Sequence, residues 1–201
     1  MRRIFMHNPN KYGAFILHIN GSLITHDNWY NGIYPAKEAV GIAVITENCE
    51  FMISLDEQTD SIMLGRYMSL WPIPELRDIE DAKKDFDGKG NTDKITSYSG
   101  LSEGYSAGYC ANYTFINGQR GYLGSVGEWQ AVNSLWNPIN SCLNVARGAK
   151  LAWWKDPQRG GGYWTSTQYN NNHQWAARYS DGFVSEQSDF QQRVRPFGKL
   201  K

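Results

Sequence analysis

The stretch covering residues 163–197 constrains the fold more than any other part of the chain. It alternates large apolar side chains with small or polar ones at the two-residue period of a β-strand. Asp181 and Gly182 interrupt this alternation, and Asp-Gly is a preferred pair in two-residue hairpin loops. We therefore predict a β-hairpin whose loop consists of these two residues, with Arg178 opposite Ser185.

The two faces of this predicted hairpin differ in composition. One face suits a core and carries Trp175, Ala177, Tyr179 and Val184. The other face carries Ala176, Arg178, Ser180, Phe183, Ser185 and Gln187. A solvated structural face usually shows Lys, Glu and Thr, yet no Lys occurs between Tyr163 and Gln192. Exposed rings beside adaptable polar groups are typical of recognition surfaces, so we predict a binding face here.

The charge balance argues against a nucleic-acid partner. The 201 residues fit one domain, or one domain with an extension, and 20 Lys and Arg are balanced by 20 Asp and Glu. Arg193 and Arg195 occupy alternate positions of one strand, so we predict that one of them faces inward and donates to loop carbonyls. No basic patch of the kind that binds phosphates is predicted.

The N-terminus does not have the pattern of a targeting segment. Arg2 and Arg3 supply positive charge, but polar residues and Pro9 follow without an apolar run. A membrane span of about 20 apolar residues is also missing from the sequence. We therefore expect synthesis in the cytoplasm without a signal peptide, and no membrane partner.

Hydrophobic patterns predict the remaining elements of a mixed α+β chain. Apolar runs predict strands at residues 14–19, 22–25, 40–45 and 50–55. Helical spacing predicts helices at residues 74–86 and 106–113. A capping box at Ser125 and Glu128 predicts the start of a third helix. A fourth helix is predicted to begin at Asn137 and to stop at Gly148.

Several short motifs follow one another in a recognisable order. They are DFDGKGNT (residues 85–92), AGYCANY (107–113), GYLGSVGEW (121–129), YWTSTQ (163–168) and RVRP (193–196). With them the chain resembles the C-type-lectin-fold proteins of gut Bacteroidetes and their phages, several of which are variable proteins of diversity-generating retroelements. The resemblance implies an α+β, C-type lectin-like fold with a β-rich N-terminal extension. Residues 1–60 would form that segment, separate from or continuous with a ligand-binding domain at residues 61–201.

The resemblance also implies which residues contact a ligand. In that family the varied positions cluster on one exposed surface between framework strands, here within residues 163–197. Together with the outward face, this gives Tyr169, Asn170, Asn171, Asn172, His173, Ala176, Arg178, Phe183, Ser185, Gln187, Ser188, Asp189 and Phe190. All except Gln187 are amino acids that adenine-restricted mutation of an AAC codon can produce, which is the coding signature of such diversification.

The function implied by the resemblance is recognition. The chain would be a receptor-binding protein of a phage tail, located in the virion, that attaches to a protein or glycan of a bacterial surface. A homo-oligomer and an assembly with other tail proteins both remain open. The alternative within the binding class is a bacterial surface adhesin of the same fold.

Two other chemistries are less well supported by the residues. Asp85, Asp87 and Asp93 offer oxygen ligands. A calcium-binding EF-hand loop requires a glycine directly after its third ligand, whereas Gly88 follows the second. A turn between two helices is therefore predicted there, with no metal or other cofactor. The same fold carries oxidases with paired cysteines, for which Cys110 and Cys142 are the candidates. Their apolar neighbours favour buried packing, so no enzyme is predicted.

Overall fold

The computed structural model describes residues 11–63, 72–99, 104–152, 161–178, 182–187 and 189–200. Some predictions fall outside the described residues: those on the N-terminal ten residues, on Tyr179, Ser180 and Asp181 of the hairpin, and on Ser188. Within the described ranges the chain is a mixed α+β fold with two β-sheets and six α-helices. The predicted α+β class is therefore confirmed.

Eleven strands form the two sheets. They are β1 (Gly13–His18), β2 (Leu23–Ile24), β3 (Ala39–Ile45), β4 (Glu50–Ile53), β5 (Gln58–Met63), β6 (Tyr122–Leu123), β7 (Tyr163–Gln168), β8 (His173–Arg178), β9 (Gly182–Gln187), β10 (Gln191–Val194) and β11 (Pro196–Lys199). The first sheet has the order β2-β1-β3-β4-β11-β6 and is antiparallel throughout. The second has the order β5-β10-β7-β8-β9, in which only the β10–β7 pair is parallel.

The first sheet is apolar on both faces. All seven residues of β3 are buried, as its continuous apolar run predicts. Ile42 and Val44 belong to the main core cluster, while Ala43 and Ile45 pack on the other side of the sheet with Phe115. The four strands predicted from apolar runs in the first 55 residues are confirmed within two residues at each end. This sheet also joins those early strands to the C-terminal strand β11.

The six helices cover the sheets. They are α1 (His26–Asn31), α2 (Ile79–Ala82), α3 (Gly88–Ser99), α4 (Ser106–Asn112), α5 (Val126–Ser134) and α6 (Trp136–Val145). The helix predicted at residues 74–86 is wrong in extent, because only the single turn α2 forms there. No helix in the described part of the chain is long and apolar enough to cross a membrane.

The predicted turn at residues 85–93 is also wrong, because α3 begins inside it. The Asp87 Oδ1 atom accepts a hydrogen bond from the Gly90 backbone N–H at 3.0 Å, which caps the first turn of the helix. Gly88 opens this helix where no side chain fits, since a Cβ atom there would lie 2.2 Å from Glu128 Oε2. Asp87, which the sequence offered as a metal ligand, therefore caps a helix.

The predicted capping box of α5 is confirmed and its carboxylate is buried. Glu128 Oε2 accepts from the Ser125 backbone N–H at 2.8 Å, and Oε1 accepts from the Tyr122 hydroxyl at 2.7 Å. Burial raises the pKa of Glu128 to about 7. The start of α5 thus carries a carboxyl group that titrates near neutral pH.

The end of α6 has an unusual residue in its termination motif. The Gly148 N–H donates to the Leu143 carbonyl at 2.8 Å, and the Arg147 N–H donates to the Asn144 carbonyl at 3.3 Å. These are the two bonds of a Schellman motif. The left-handed residue within it is Arg147, with φ 57°, one position before the predicted stop at Gly148.

Arg195 connects the two sheets. The chain leaves β10 in the second sheet and enters β11 in the first through this fully buried residue. Its guanidinium donates to the Ser54 carbonyl at 2.7 Å, the Ala149 carbonyl at 2.8 Å and Glu57 Oε2 at 2.7 Å. Arg193 donates to Glu57 Oε1 at 3.0 Å. The prediction that one arginine faces inward and donates to loop carbonyls is confirmed for Arg195. We call Glu57, Arg193 and Arg195 the sheet junction.

Candidate functional site

A bulge in β7 shapes the sheet that carries the predicted site. Trp164 pairs with Ala176 and Gln168 pairs with Gln174, so four steps along β7 match two steps along β8. The extra residues turn towards the helices, and the Ser166 N–H donates to the Gly124 carbonyl at 2.9 Å. The bulge explains why the YWTSTQ motif is polar although all six of its residues are buried.

Asp85 holds three of the sequence motifs together. Its Oδ2 atom accepts from Thr167 Oγ1 at 2.6 Å and from Asn91 Nδ2 at 2.8 Å. Its backbone carbonyl accepts from Ser125 Oγ at 2.7 Å and from the Gly127 N–H at 2.9 Å. In the described ranges no three His, Cys, Asp or Glu residues are placed to hold a metal ion. The carboxylate of Asp85 therefore ties together β7, α3 and α5.

The hairpin of β8 and β9 forms, but in another register than predicted. Arg178 pairs with Gly182 and Trp175 pairs with Ser185, whereas Arg178 was predicted opposite Ser185. The predicted pairing is wrong by three positions, because residues 179–181 connect the strands and Gly182, with φ 74°, already belongs to β9. An odd shift exchanges the faces on which the β9 side chains lie relative to β8.

Two predicted contact residues are not on an outward face. Ala176 is fully buried and packs in a cluster with Trp164 and Val194, so its placement on an outward face is wrong. Phe183 lies on the same side of the sheet as Trp175 and is half-buried against it. Side chains on either face are buried because helices cover both sides of the second sheet. Trp175 is buried as predicted, and Trp164 is buried on the opposite face of the sheet.

Two further candidates, Arg178 and Tyr169, make contacts within the protein. Arg178 is half-buried, and its guanidinium donates to the carboxylate of Glu186 across the hairpin. Tyr169 places its ring edge-on to Trp175, with the ring centroids 5.2 Å apart. Both were predicted to be exposed. Each retains partial exposure but also stabilises the hairpin, so substituting either changes the scaffold as well as the surface.

The remaining candidates lie together at one end of the hairpin. His173 pairs with Gln187, which brings the turn at residues 170–172 beside the turn that follows β9. The second turn is closed by the Phe190 N–H, which donates to the Gln187 carbonyl at 2.9 Å. We call this group the recognition edge; its members are Asn170, Asn171, Asn172, His173, Gln187, Asp189 and Phe190. Ser185 is exposed nearby on β9, the outermost strand of the sheet.

The Asn-rich turn is ordered by its own side chains. Asn170 Oδ1 accepts from the backbone N–H groups of Asn172 at 3.0 Å and His173 at 2.9 Å. The His173 ring lies 2.8 Å from Asn172 Oδ1, measured at Nδ1. Asn171 is left exposed at the tip. Sequence reasoning treated the three asparagines alike, whereas the structure gives Asn170 a local structural role.

Phe190 and Asp189 form the apolar and the charged part of the edge. Phe190 exposes 47% of its surface. Asp189 is exposed beside it. An exposed ring next to a carboxylate, amides and an imidazole offers stacking, hydrogen bonding and charge within one small area. This combination suits recognition of a partner.

The two candidate cysteines of an oxidase lie in different core clusters. Cys110 belongs to the cluster around Trp164, and Cys142 belongs to the main core cluster. Burial raises the pKa of Cys110 well above its usual value and that of Cys142 to about 12. A thiol becomes nucleophilic when it ionises to the thiolate. Burial of Cys110 and Cys142 therefore favours the protonated, less nucleophilic thiol.

No protein-family model matches the sequence. No curated protein matches it either. Among solved structures, the chain is similar to a fimbrial protein from Bacteroides ovatus, with a TM-score of 0.58 and 16% sequence identity. The similarity covers 94% of this chain and 49% of that protein, so this chain spans about half its length. At this identity the likeness shows a shared fold.

Proposed function

We propose that this chain is a ligand-recognition domain of a bacterial surface structure, and that the recognition edge contacts the ligand. The observation that carries the proposal is the pairing of His173 with Gln187, which sets two exposed turns side by side at one end of a covered sheet. The turns present amides, an imidazole, a carboxylate and the ring of Phe190. The ligand class is a protein or glycan of a bacterial cell surface.

The ordered structure behind the recognition edge supports a binding role for this surface. The Asn-rich turn is fixed by the Asn170 side chain, and β8 is buried on both faces behind it. A surface that is ordered before binding loses less conformational entropy when a partner arrives. Affinity can therefore come from a small number of contacts at Asn171, Asp189 and Phe190.

The setting on a bacterial surface is supported by the shared fold of the Bacteroides fimbrial protein. The C-type lectin-like assignment of the body is part of the same proposal and is supported by the ordered motifs, which converge on Asp85. In this view, residues 85–92, 121–129 and 163–168 form the framework. The recognition edge is then the adaptable part of the domain.

A phage tail protein diversified by a retroelement is the second candidate. It is favoured by the overlap between the recognition edge and amino acids that an AAC codon reaches by adenine mutation, namely Asn, His, Asp and Phe. Sequencing the locus in many isolates separates the two settings. Differences concentrated in codons 169–190, beside a reverse-transcriptase gene, favour the phage setting, and differences spread evenly along the gene exclude diversification.

Binding to cells tests the recognition edge itself. Fluorescently labelled protein is incubated with a panel of Bacteroides strains, and bound fluorescence is measured by flow cytometry. Asn171→Ala and Phe190→Ala should each weaken binding, by about thirtyfold if the residue is an interface hot spot. Ile116→Ala is the matched control, because Ile116 is 54% exposed at a different site and its loss should leave binding unchanged.

Two treatments of the cells identify the ligand class. Periodate destroys glycans, and protease removes surface proteins, so the treatment that abolishes binding names the ligand. The proposal is wrong if both edge variants bind every strain as well as the unmodified protein. It is equally wrong if Ile116→Ala loses as much binding as Phe190→Ala.

A further inference from the structure

A cleft lies away from the recognition edge and shares no residue with it. It has a volume of about 660 Å³ and lies between α1, the segment that follows α1 and the end of α6. Trp29, Tyr30, Tyr34, Lys37, Asn144 and Arg147 contribute to its lining. This volume is within the range of small-molecule sites, which join apolar surface to a few polar groups.

One wall of the cleft is a fixed aromatic pair. The ring of Tyr34 stacks on that of Trp29, with centroids 5.0 Å apart and an angle of 19° between the planes. Trp29 is buried in the main core, whereas Tyr34 remains half exposed. At Gly32 a Cβ atom would lie 2.4 Å from the Tyr34 ring and 2.7 Å from the Asn28 carbonyl. The chain therefore folds tightly around Tyr34 and holds its ring in place.

The polar groups of the cleft are cationic. Lys37 comes from the 3-10 helix Ala36–Glu38, and Arg147 comes from the end of α6. No Asp or Glu lines the cleft. Neither cation forms an ion pair with any residue in the described ranges, since the neighbouring Glu38 pairs with His18 at 2.8 Å. Two positive charges without an ion-pair partner among the described residues thus line one opening.

The backbone at Arg147 indicates that its side chain has a use beyond folding. Arg147 has φ 57° at the left-handed position of the Schellman motif. Glycine is the preferred residue there, because any Cβ atom makes this conformation less favourable. The fold would therefore gain from glycine at this position. An arginine in its place supplies a guanidinium to the cleft at a conformational cost.

We propose that this cleft binds an acidic saccharide. The sugar ring lies against Tyr34, because an aromatic face buries apolar C–H surface while hydroxyl groups at the rim stay hydrated. The carboxylate lies between Lys37 and Arg147, whose planar guanidinium can form two parallel hydrogen bonds to it. Asn144 and the Tyr30 hydroxyl offer hydrogen bonds to the sugar hydroxyls. This site is additional to the recognition edge and does not depend on the function proposed for it.

A titration followed by NMR spectroscopy tests the proposal. Isotope-labelled protein is titrated with tetragalacturonate, and with the methyl ester of the same oligomer, which has the same ring faces without the charges. We expect the acid to shift the indole signal of Trp29 and the backbone signals around Arg147. The ester should bind about tenfold more weakly, since the charge-assisted hydrogen bonds are lost.

Arg147→Gly isolates the role of the guanidinium, because glycine suits the backbone there. The variant should melt at the same or a higher temperature, yet bind tetragalacturonate about tenfold more weakly. Lys94→Ala is the matched control, since it removes one exposed positive charge outside the cleft and should leave the affinity unchanged.

Four outcomes would overturn the proposal: no binding of tetragalacturonate at millimolar concentration, equal affinity for its methyl ester, full affinity of Arg147→Gly, or an equal loss in Lys94→Ala. Tighter binding of oligoglutamate than of tetragalacturonate at the same residues would also overturn it, in favour of an acidic peptide.

Discussion

The two sheets are stabilised in different ways. The first is buried through apolar side chains, and every residue of β3 is shielded from solvent. The second buries Thr165, Ser166, Thr167 and Gln174, together with Gln192 of β10. Hydrophobic burial is not directional, whereas a buried hydrogen bond fixes both distance and angle. The first sheet therefore tolerates changes of shape, while the second requires a particular set of partners.

The polar interior of the second sheet is only partly satisfied. Ser166 Oγ, Gln174 Oε1 and Gln192 Nε2 are buried without a hydrogen-bond partner in the described part of the protein. A buried polar atom without a partner costs about 1–3 kcal/mol. The sheet that carries the recognition edge therefore buries polar groups that the first sheet lacks. The difference suggests that the apolar sheet supplies stability and the polar sheet supplies a defined surface.

The substitution expected to lower the free energy of unfolding most is at the sheet junction, where the two sheets meet. Arg195→Met removes three hydrogen-bonded contacts and leaves Glu57 buried with a weaker set of partners. We expect the free energy of unfolding to fall by about 3–5 kcal/mol, because a buried charge loses a partner. Urea denaturation followed by circular dichroism measures the loss.

A double variant distinguishes the charge pair from simple loss of packing. Arg195→Met combined with Glu57→Gln removes the uncompensated carboxylate. It should be less destabilising than the sum of the two single changes. Strictly additive effects would mean that the junction contributes packing alone, and the contrast between the two sheets would lose its main support.

The next effect is a pH dependence from Glu128. Its pKa is raised from 4.5 to about 7 by burial, so the folded state binds a proton more tightly than the unfolded state. This contribution to stability is complete below pH 4.5 and is lost as the pH rises through about 7. The expected loss between pH 5 and pH 8 is about 2–3 kcal/mol.

Glu128→Gln is the matched control for the pH series. Glutamine can still accept the Ser125 N–H bond in a capping box but cannot ionise. The difference in melting temperature between the two proteins should therefore change with pH over this window. Parallel curves for the two proteins would show that Glu128 titrates at an ordinary pKa in the folded state.

The smallest effects compare two parts of the hairpin. Phe183→Ala should lower the free energy of unfolding by about 1 kcal/mol, because the ring is half-buried against Trp175. Asn171→Ala should change it by less than about 0.5 kcal/mol, since that side chain is exposed. Thermal melts of both variants decide the comparison. Equal losses would mean that the tip is as structural as the strand behind it.

The sequence predicted the apolar sheet better than the polar one. Apolar runs locate β1 to β4, and a capping box locates α5, because these signals are local in sequence. The hairpin register could not be read in the same way. It depends on whether the loop has two residues or three, and Gly182 fits either case. The error at this loop transferred to Phe183, whereas Ala176 was misplaced because both faces of the sheet are covered.

Other features depend on contacts that are distant in sequence. Asp85 resembled a metal ligand until Thr167, 82 positions later, was seen to donate to it. The same holds for Glu57, which meets Arg195 across 138 positions. Seven of the thirteen candidates lie in or beside the two turns of the recognition edge. The sequence could not separate Asn170, which orders its turn, from Asn171, which the turn exposes.

The sheet junction also has a mechanical consequence. A domain that holds a ligand at one end of β8 and β9 and is anchored elsewhere carries tension from one sheet to the other. Part of that tension passes through the backbone at Arg195, where β10 ends and β11 begins, and part through the segment that joins β4 to β5. To pull the sheets apart, the force has to break the bonds from one guanidinium to Ser54, Ala149 and Glu57 together. We therefore expect the bonds of this guanidinium to slow the forced separation of the two sheets.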